Sequence, residues 1–361
     1  MTAHYKIFGL LGIVCLLMGA AHPVQQENNV LNSVTEVPTR QMEAGLKQNL
    51  SEYAFFIGPL ANLLAASNVF PYEVNAPLFS DYAEKARFIY LPAGTKMQYH
   101  ADASFDYPEG AVIIKNFFYW NNAAQPELGR RIIETRLLLK DAKGWKALEY
   151  VWNTDQTDAI LEVAGGATPV SWHMANGKQQ RIDYTIPNLN QCKGCHSYDG
   201  KFTPIGTTTK QLNLDLPGGE NQLLLFQKRG ILDLPEGFDP VQAAHLADYR
   251  KPGNTDAAAR AYLDSNCAHC HNPNGPASTS GMFLNVEENN PEHLGIGKPP
   301  VAAGRGSGKR KFGIVPGKPA ESILLFRMED NDPGIRMPEI GRQLMHEEGV
   351  ALIKNWIREM K

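Results

Sequence analysis

The stretch Ser265-Asn-Cys-Ala-His-Cys-His-Asn-Pro-Asn-Gly275 sets two cysteines and two histidines within the five residues Cys267 to His271. Such a density suits a zinc site, a redox dithiol or a covalently attached haem. A second stretch chooses among them, because Cys192-Lys-Gly-Cys195-His196 repeats the spacing. On a helical turn, residues i and i+3 share a face, so both thiols can reach the two vinyl groups of one haem. The histidine at i+4 then lies beneath the iron. Four thiolates on one zinc leave both histidines without a role, and a thioredoxin-like dithiol needs a βαβ setting and no histidine. We therefore expect two c-type haems, with Cys192, Cys195, Cys267 and Cys270 as anchors and His196 and His271 as proximal ligands. No other metal is expected. His269 reads as a variable position at the surface or the haem edge.

Working outward from the second motif, Thr255 is suited to cap an alanine-rich helix from Asp256 to Ser265, and Asn272-Pro-Asn-Gly-Pro276 breaks it. Further helices are predicted over Ala320–Met328 and Glu347–Lys361, the last with Val350, Ile353, Ile357 and Met360 at helical spacing. Helix, motif, loop, helix, loop, terminal helix resembles a small mono-haem cytochrome c domain. The resemblance implies a methionine sixth ligand from the loop before the last helix. Met337, in Asp332-Pro-Gly-Ile-Arg-Met-Pro338, fits that place, with Met282, Met328 and Met345 as alternatives. No methionine lies between His196 and Cys267, so the first haem has His173, Met174 or His245 as its candidate sixth ligand, or an open iron.

Upstream the pattern changes to β-branched and aromatic runs at Arg87–Leu91, Ala111–Tyr119, Arg131–Leu139 and Trp145–Trp152, separated by turn residues. Residues 82–185 are read as an antiparallel β domain, a sandwich. Residues 22–81 form a lead-in with one helix near Gly58–Ala66. The segments "NAPLFSDYAEKARFIYLPAGT" (75–95), "YVWNTDQTDAIL" (150–161), "IGTTTKQLN" (205–213) and "AYLDSNCAHCHNPNGPAS" (261–278) resemble a family of exported bacterial di-haem c-type cytochromes. That resemblance implies an N-terminal β-rich region followed by two haem sites. The expected fold class is thus α+β multidomain: the β domain, then mostly α-helical cytochrome c-like haem domains over 186–252 and 253–361.

Lys6, the apolar run Ile7–Met18 and the small residues Gly19, Ala20 and Ala21 read as a signal peptide, residues 1–21. Cys15 sits inside the apolar run after Val14, so lipid anchoring is not expected. No transmembrane span is expected once the signal is removed, which points to an exported, periplasmic protein. The balance of 35 basic against 38 acidic residues leaves no polybasic footprint for nucleic acid. Gly304-Arg-Gly-Ser-Gly-Lys309 lacks the first glycine and the final Ser/Thr of a phosphate loop and reads as a solvated loop. The function expected is electron transfer between redox partner proteins in the periplasm. The alternatives are a di-haem peroxidase-like oxidoreductase with an open first haem, and a β-domain binding module coupled to the haems.

Overall fold

Six apolar runs pair in chain order into one antiparallel meander: β1 (Val69–Pro71), β2 (Glu84–Tyr90), β3 (Val112–Trp120), β4 (Arg130–Asp141), β5 (Gly144–Trp152) and β6 (Ala159–Leu161). The computed structural model describes residues 46–361, so the expected signal peptide, Cys15 and the first part of the lead-in lie outside the described residues. Residues Lys47–Lys361 make one compact unit. A hairpin, β7 (Gly166–His173) with β8 (Gln179–Ile186), comes after the sheet.

Period-two alternation sends opposite sets of side chains to the two faces. On one face Phe88, Ile114, Phe118, Ile132, Leu137, Tyr150 and Trp152 are buried together with Leu50, Phe55, Phe56 and Leu63 from the preceding chain. The other face holds two separate apolar clusters. Ile89 and Ile113 join Leu212, Leu223 and Phe226 from two short helices, α2 (Thr209–Leu212) and α3 (Gln222–Lys228). Phe117, Tyr119 and Ile133 join Val170, Trp172, Ile182 and Tyr184 from the β7–β8 hairpin. Between these clusters runs a charged row fixed by strand register: Arg87 opposite Lys115, Lys115 opposite Arg136, and Arg136 opposite Glu149. The register shifts at Phe117/Phe118, where Ile133 is the extra residue of a bulge.

Past β8 the chain forms α1 (Leu189–His196), α2 and α3, then α4 (Thr255–Leu263), α5 (Ile323–Glu329) and α6 (Glu347–Glu359), joined by long irregular segments. Helices α4, α5 and α6 share a core through Ala259, Leu263, Leu324, Leu325, Ile353 and Ile357. Gly349 permits the close crossing of α4 and α6, since a Cβ there would lie 2.4 Å from the Tyr262 hydroxyl. Trp356 Nε1 donates across the same crossing to Asp256 Oδ1 at 2.7 Å.

Several expectations are corrected. The β region is not succeeded by mostly α-helical cytochrome c-like haem domains: 23% of the described residues are helical against 26% extended, and the α-helices span 4 to 13 residues. The glycine, proline and Asx-turn content of these segments stops helices early. Nor is the β region a sandwich, because its first face is covered by residues 50–66, two helical turns and one two-residue strand pair, rather than by a second extended sheet. The expected helix at Gly58–Ala66 is instead a single turn, Leu60–Asn62, inside a small strand pair, since Gly58 (φ 71°) and Leu63 (φ 53°) adopt left-handed backbone. Helix α4 is capped by Asn254, whose side chain accepts from Ala257 N at 2.9 Å, rather than by Thr255. The Gly304–Lys309 loop is solvated at Gly304, Arg305 and Lys309, as expected, with Arg305 bonded to Asp332 at 2.7 Å and the neighbouring Arg310 stacked 4.1 Å over Phe326.

Candidate functional site

Asn188 and Gln191 place the first motif on a helix. The Asn188 side chain accepts from Gln191 N at 3.0 Å and the Gln191 side chain accepts from Asn188 N at 2.9 Å, a reciprocal cap that starts α1. Cys192, Cys195 and His196 thus occupy one helical turn. The second motif begins where α4 widens into a π turn over Asp264–Ala268, and a tighter turn carries it on, with His271 N donating to Cys267 O at 2.9 Å. Gly275 closes that turn tightly, as a Cβ there would meet Cys270 O at 2.5 Å.

The two motifs meet. Cys195, His269 and Cys270 bring one ligand atom each within 4.8 Å of one another, and Cys270 Sγ reaches Gly194 O at 3.7 Å. His269 is thus half-buried at this contact rather than freely exposed, with its Nδ1 buried and lacking a hydrogen-bond partner among the described residues. All four cysteines are free thiols. The hydrogen bond shared by Cys195 and Cys270, with the His269 ring beside it, draws Cys195 well below the ordinary thiol range. Burial raises Cys192 and pushes Cys267 up to about 12.

Both motif histidines are held in the same tautomer. His196 Nδ1 lies 2.8 Å from Thr203 O, which can only accept, so Nδ1 carries the hydrogen. His271 Nδ1 lies 3.3 Å from Ser280 Oγ, whose own hydrogen goes to Ala277 O at 2.7 Å, so here too Nδ1 donates. Each Nε2 keeps its lone pair, and no hydrogen bond engages it among the described residues. The His196 ring also stacks on Phe202, with centroids 4.9 Å apart and planes within 3°. Burial draws His196 down to about 4 and lowers His271, so both are neutral at neutral pH.

A cavity of about 300 Å³ lies over the charged row of the sheet, lined by Arg87, Lys115 and Arg136 on its floor, by His196 and Cys267 on its walls, and by Met337. His271 is not on that lining, so Met337 shares the cavity with His196 of the first motif and not with the histidine of the second. None of the three candidate ligands for the first haem reaches it: His173 and His245 are exposed, and Met174 packs under the β7–β8 hairpin with its sulfur 3.5 Å from Gln180 Nε2. Met282 lies near the second motif, its methyl 2.7 Å from where a Cβ on Gly295 would stand.

Comparison with known proteins adds nothing to this geometry. No family model, curated protein or solved structure matches the chain.

The local spacing of the motifs gives no sign of three further elements of the site. The charged row exists only through strand register. Arg342 anchors the Met337 loop by donating to backbone carbonyls of Arg327, Met328, Asp330, Met337 and Leu344. His346 stacks on Phe79 at 4.1 Å, lies 3.1 Å from the Tyr262 hydroxyl, and lines the same cavity. Burial draws His346 down to about 4, whereas an unfolded chain protonates its histidine near pH ~6.5. Folding therefore excludes a proton from this ring. Its full contribution is present above ~6.5 and is lost as pH falls toward 4, about 3 kcal/mol in all. Urea unfolding at pH values from 7.5 down to 4 should show this loss, and His346→Gln should flatten the slope. An unchanged slope in the variant would contradict the assignment.

No helix among the described residues is long and apolar enough to cross a membrane.

Proposed function

We propose that this chain is an exported di-haem c-type cytochrome that passes electrons to and from periplasmic redox partner proteins. Cys192 and Cys195 anchor one haem and Cys267 and Cys270 the other, through thioether bonds. His196 and His271 are the proximal ligands, and Met337 is the methionine ligand. The observation that carries the reading is the matched tautomer of the two histidines. Each is neutral, its Nδ1–H fixed by an oxygen acceptor and its Nε2 lone pair unengaged, which is the state a metal-bound imidazole needs.

Haem supplies a one-electron iron couple when bound. The chain fixes His196 between Thr203 O and Phe202, so the donor nitrogen does not reorient when charge changes. Arg342 holds the backbone on both sides of Met337, which limits movement of the sulfur. The contact of Cys195 with Cys270 brings the edges of the two sites together, so an electron that enters at one motif has a short route to the other.

A second reading has its own observation. Cys195, His269 and Cys270 form a soft ligand set suited to a directly coordinated ion such as zinc. Haem stoichiometry separates the two. The protein purified from a host that attaches c-type haem should carry two covalent haems per chain by mass and by pyridine haemochrome. Cys192→Ala with Cys195→Ala should leave one. Zinc at one equivalent with no covalent haem would overturn the proposal.

A further inference from the structure

The charged row on the sheet lacks the anions its burial demands. Arg87, Lys115 and Arg136 face the cavity side by side from three adjacent strands, with Lys85 beside them on β2. Like charges directly opposite on neighbouring strands repel, and burial strengthens the repulsion. Two carboxylates contact the row directly, while Glu73, Glu84 and Asp81 act on Arg87 and Lys85 only through their fields. Glu134 is committed to Arg136 at 2.5 Å and to the Tyr184 hydroxyl at 2.6 Å, and Glu149 lies 3.5 Å from Arg136 Nε. Among the described residues neither makes a hydrogen bond or ion pair with Arg87 or Lys115, although the field of Glu134 partly offsets the cations around Lys115. Arg87 is only 8% exposed, yet among the described residues its side chain makes a single long hydrogen bond, 3.4 Å, to Lys85 O. Lys115 has no hydrogen bond or ion pair among the described residues and rests 5.3 Å from the Phe117 ring centroid. Burial together with Arg87, Lys85 and Arg136 lowers its affinity for a proton well below that of an ordinary lysine.

We infer that Arg87 and Lys115, with Arg136 beside them, form a carboxylate-binding site that receives a paired-carboxylate group lying in the cavity. A guanidinium offers a planar fork and an ammonium a point charge, which together suit two carboxylates a few bonds apart. Two sources share that chemistry: the propionates of a haem held by the first motif, and a free dicarboxylic acid. The first rests on the reading of the preceding subsection, whereas the second stands on the chain alone.

The test uses the purified protein with whatever haem it carries, titrated calorimetrically with succinate. If a free dicarboxylate is the occupant, succinate binds saturably, and Lys115→Met and Arg87→Met weaken it at least tenfold. Lys115→Arg, which keeps the charge, retains most of the binding. If haem propionates fill the row, succinate does not bind, and Lys115→Met lowers one of the two reduction potentials while leaving the other unchanged. In haem-free protein without dicarboxylate, removal of a buried like charge should leave Lys115→Met at least as heat-stable as the parent, which a thermal melt verifies. Absence of succinate binding together with unaltered potentials in both methionine variants overturns the site. Failure of the haem reading is seen separately, as a lack of covalent haem. The succinate titration of the haem-free protein then decides alone, and no binding there also overturns the site.

Discussion

Arg342→Ala should destabilise the protein by about 3–5 kcal/mol, several buried carbonyls each losing a charged donor at ~1–3 kcal/mol and less than additively. The side chain is 4% exposed. Its Nη2 serves the carbonyls of Arg327, Met328 and Asp330 at 2.8–3.1 Å, Nη1 serves Leu344 O and Asn331 Oδ1, and Nε serves Met337 O at 3.1 Å. Two of these carbonyls belong to the end of α5, where that of Arg327 also accepts from Met337 N at 2.9 Å. Lysine cannot rescue, because one ammonium cannot serve acceptors spread around a planar fork. Denaturant unfolding measures the loss. In a haem-loaded sample, the charge-transfer band of sulfur-ligated ferric haem should weaken in Arg342→Ala, as it should vanish in Met337→Ala. A variant within 1 kcal/mol of the parent, with the band intact, would sink the claim that this arginine holds the loop.

Glu134→Gln should cost a similar amount, about 3–5 kcal/mol, as expected when one partner of a buried ion pair is removed. Glu134 is 0% exposed, and its carboxylate offsets Arg136 in the middle of a row that already has an excess of cations. Arg136 keeps its proton firmly, since the nearby Glu134 outweighs the opposing effect of burial. Glutamine preserves shape and still accepts from Tyr184, so the variant isolates the charge. Adding Arg136→Met in the same chain should recover much of the loss, and the double-mutant cycle measures the coupling. Additive single effects would show that the pair does not act as a unit.

The parts of this protein that the sequence makes legible are those governed by local spacing. The i, i+3, i+4 pattern of Cys192, Cys195 and His196 is one helical turn in the structure, and the apolar runs at Ala111–Tyr119 and Trp145–Trp152 are strands β3 and β5. Alternation announces that Phe88 and Ile114 need cover but not which part of the chain supplies it. Residues 50–66, with Leu50, Phe55 and Leu63, supply it, where a second extended sheet was expected. The cationic row is hidden for a different reason. Arg87, Lys115 and Arg136 stand far apart in the chain and become neighbours only through register, itself shifted by the bulge at Ile133. The helices near the second motif keep the expected order but fall short of a helical domain, because turn-forming residues interrupt the segments between them.

The meander also bears on the order in which the protein is built. Every strand of the sheet pairs with its neighbour in sequence, so the sheet needs only local closures, the longest over residues 91–111, and can form early, whereas the cavity above it draws on residues from Tyr72 to Val350. During synthesis the cationic floor is therefore complete before α6 and the Met337 segment arrive to roof it. Any group that occupies the cavity is most easily admitted in that interval. The last stretch of chain then seals it in.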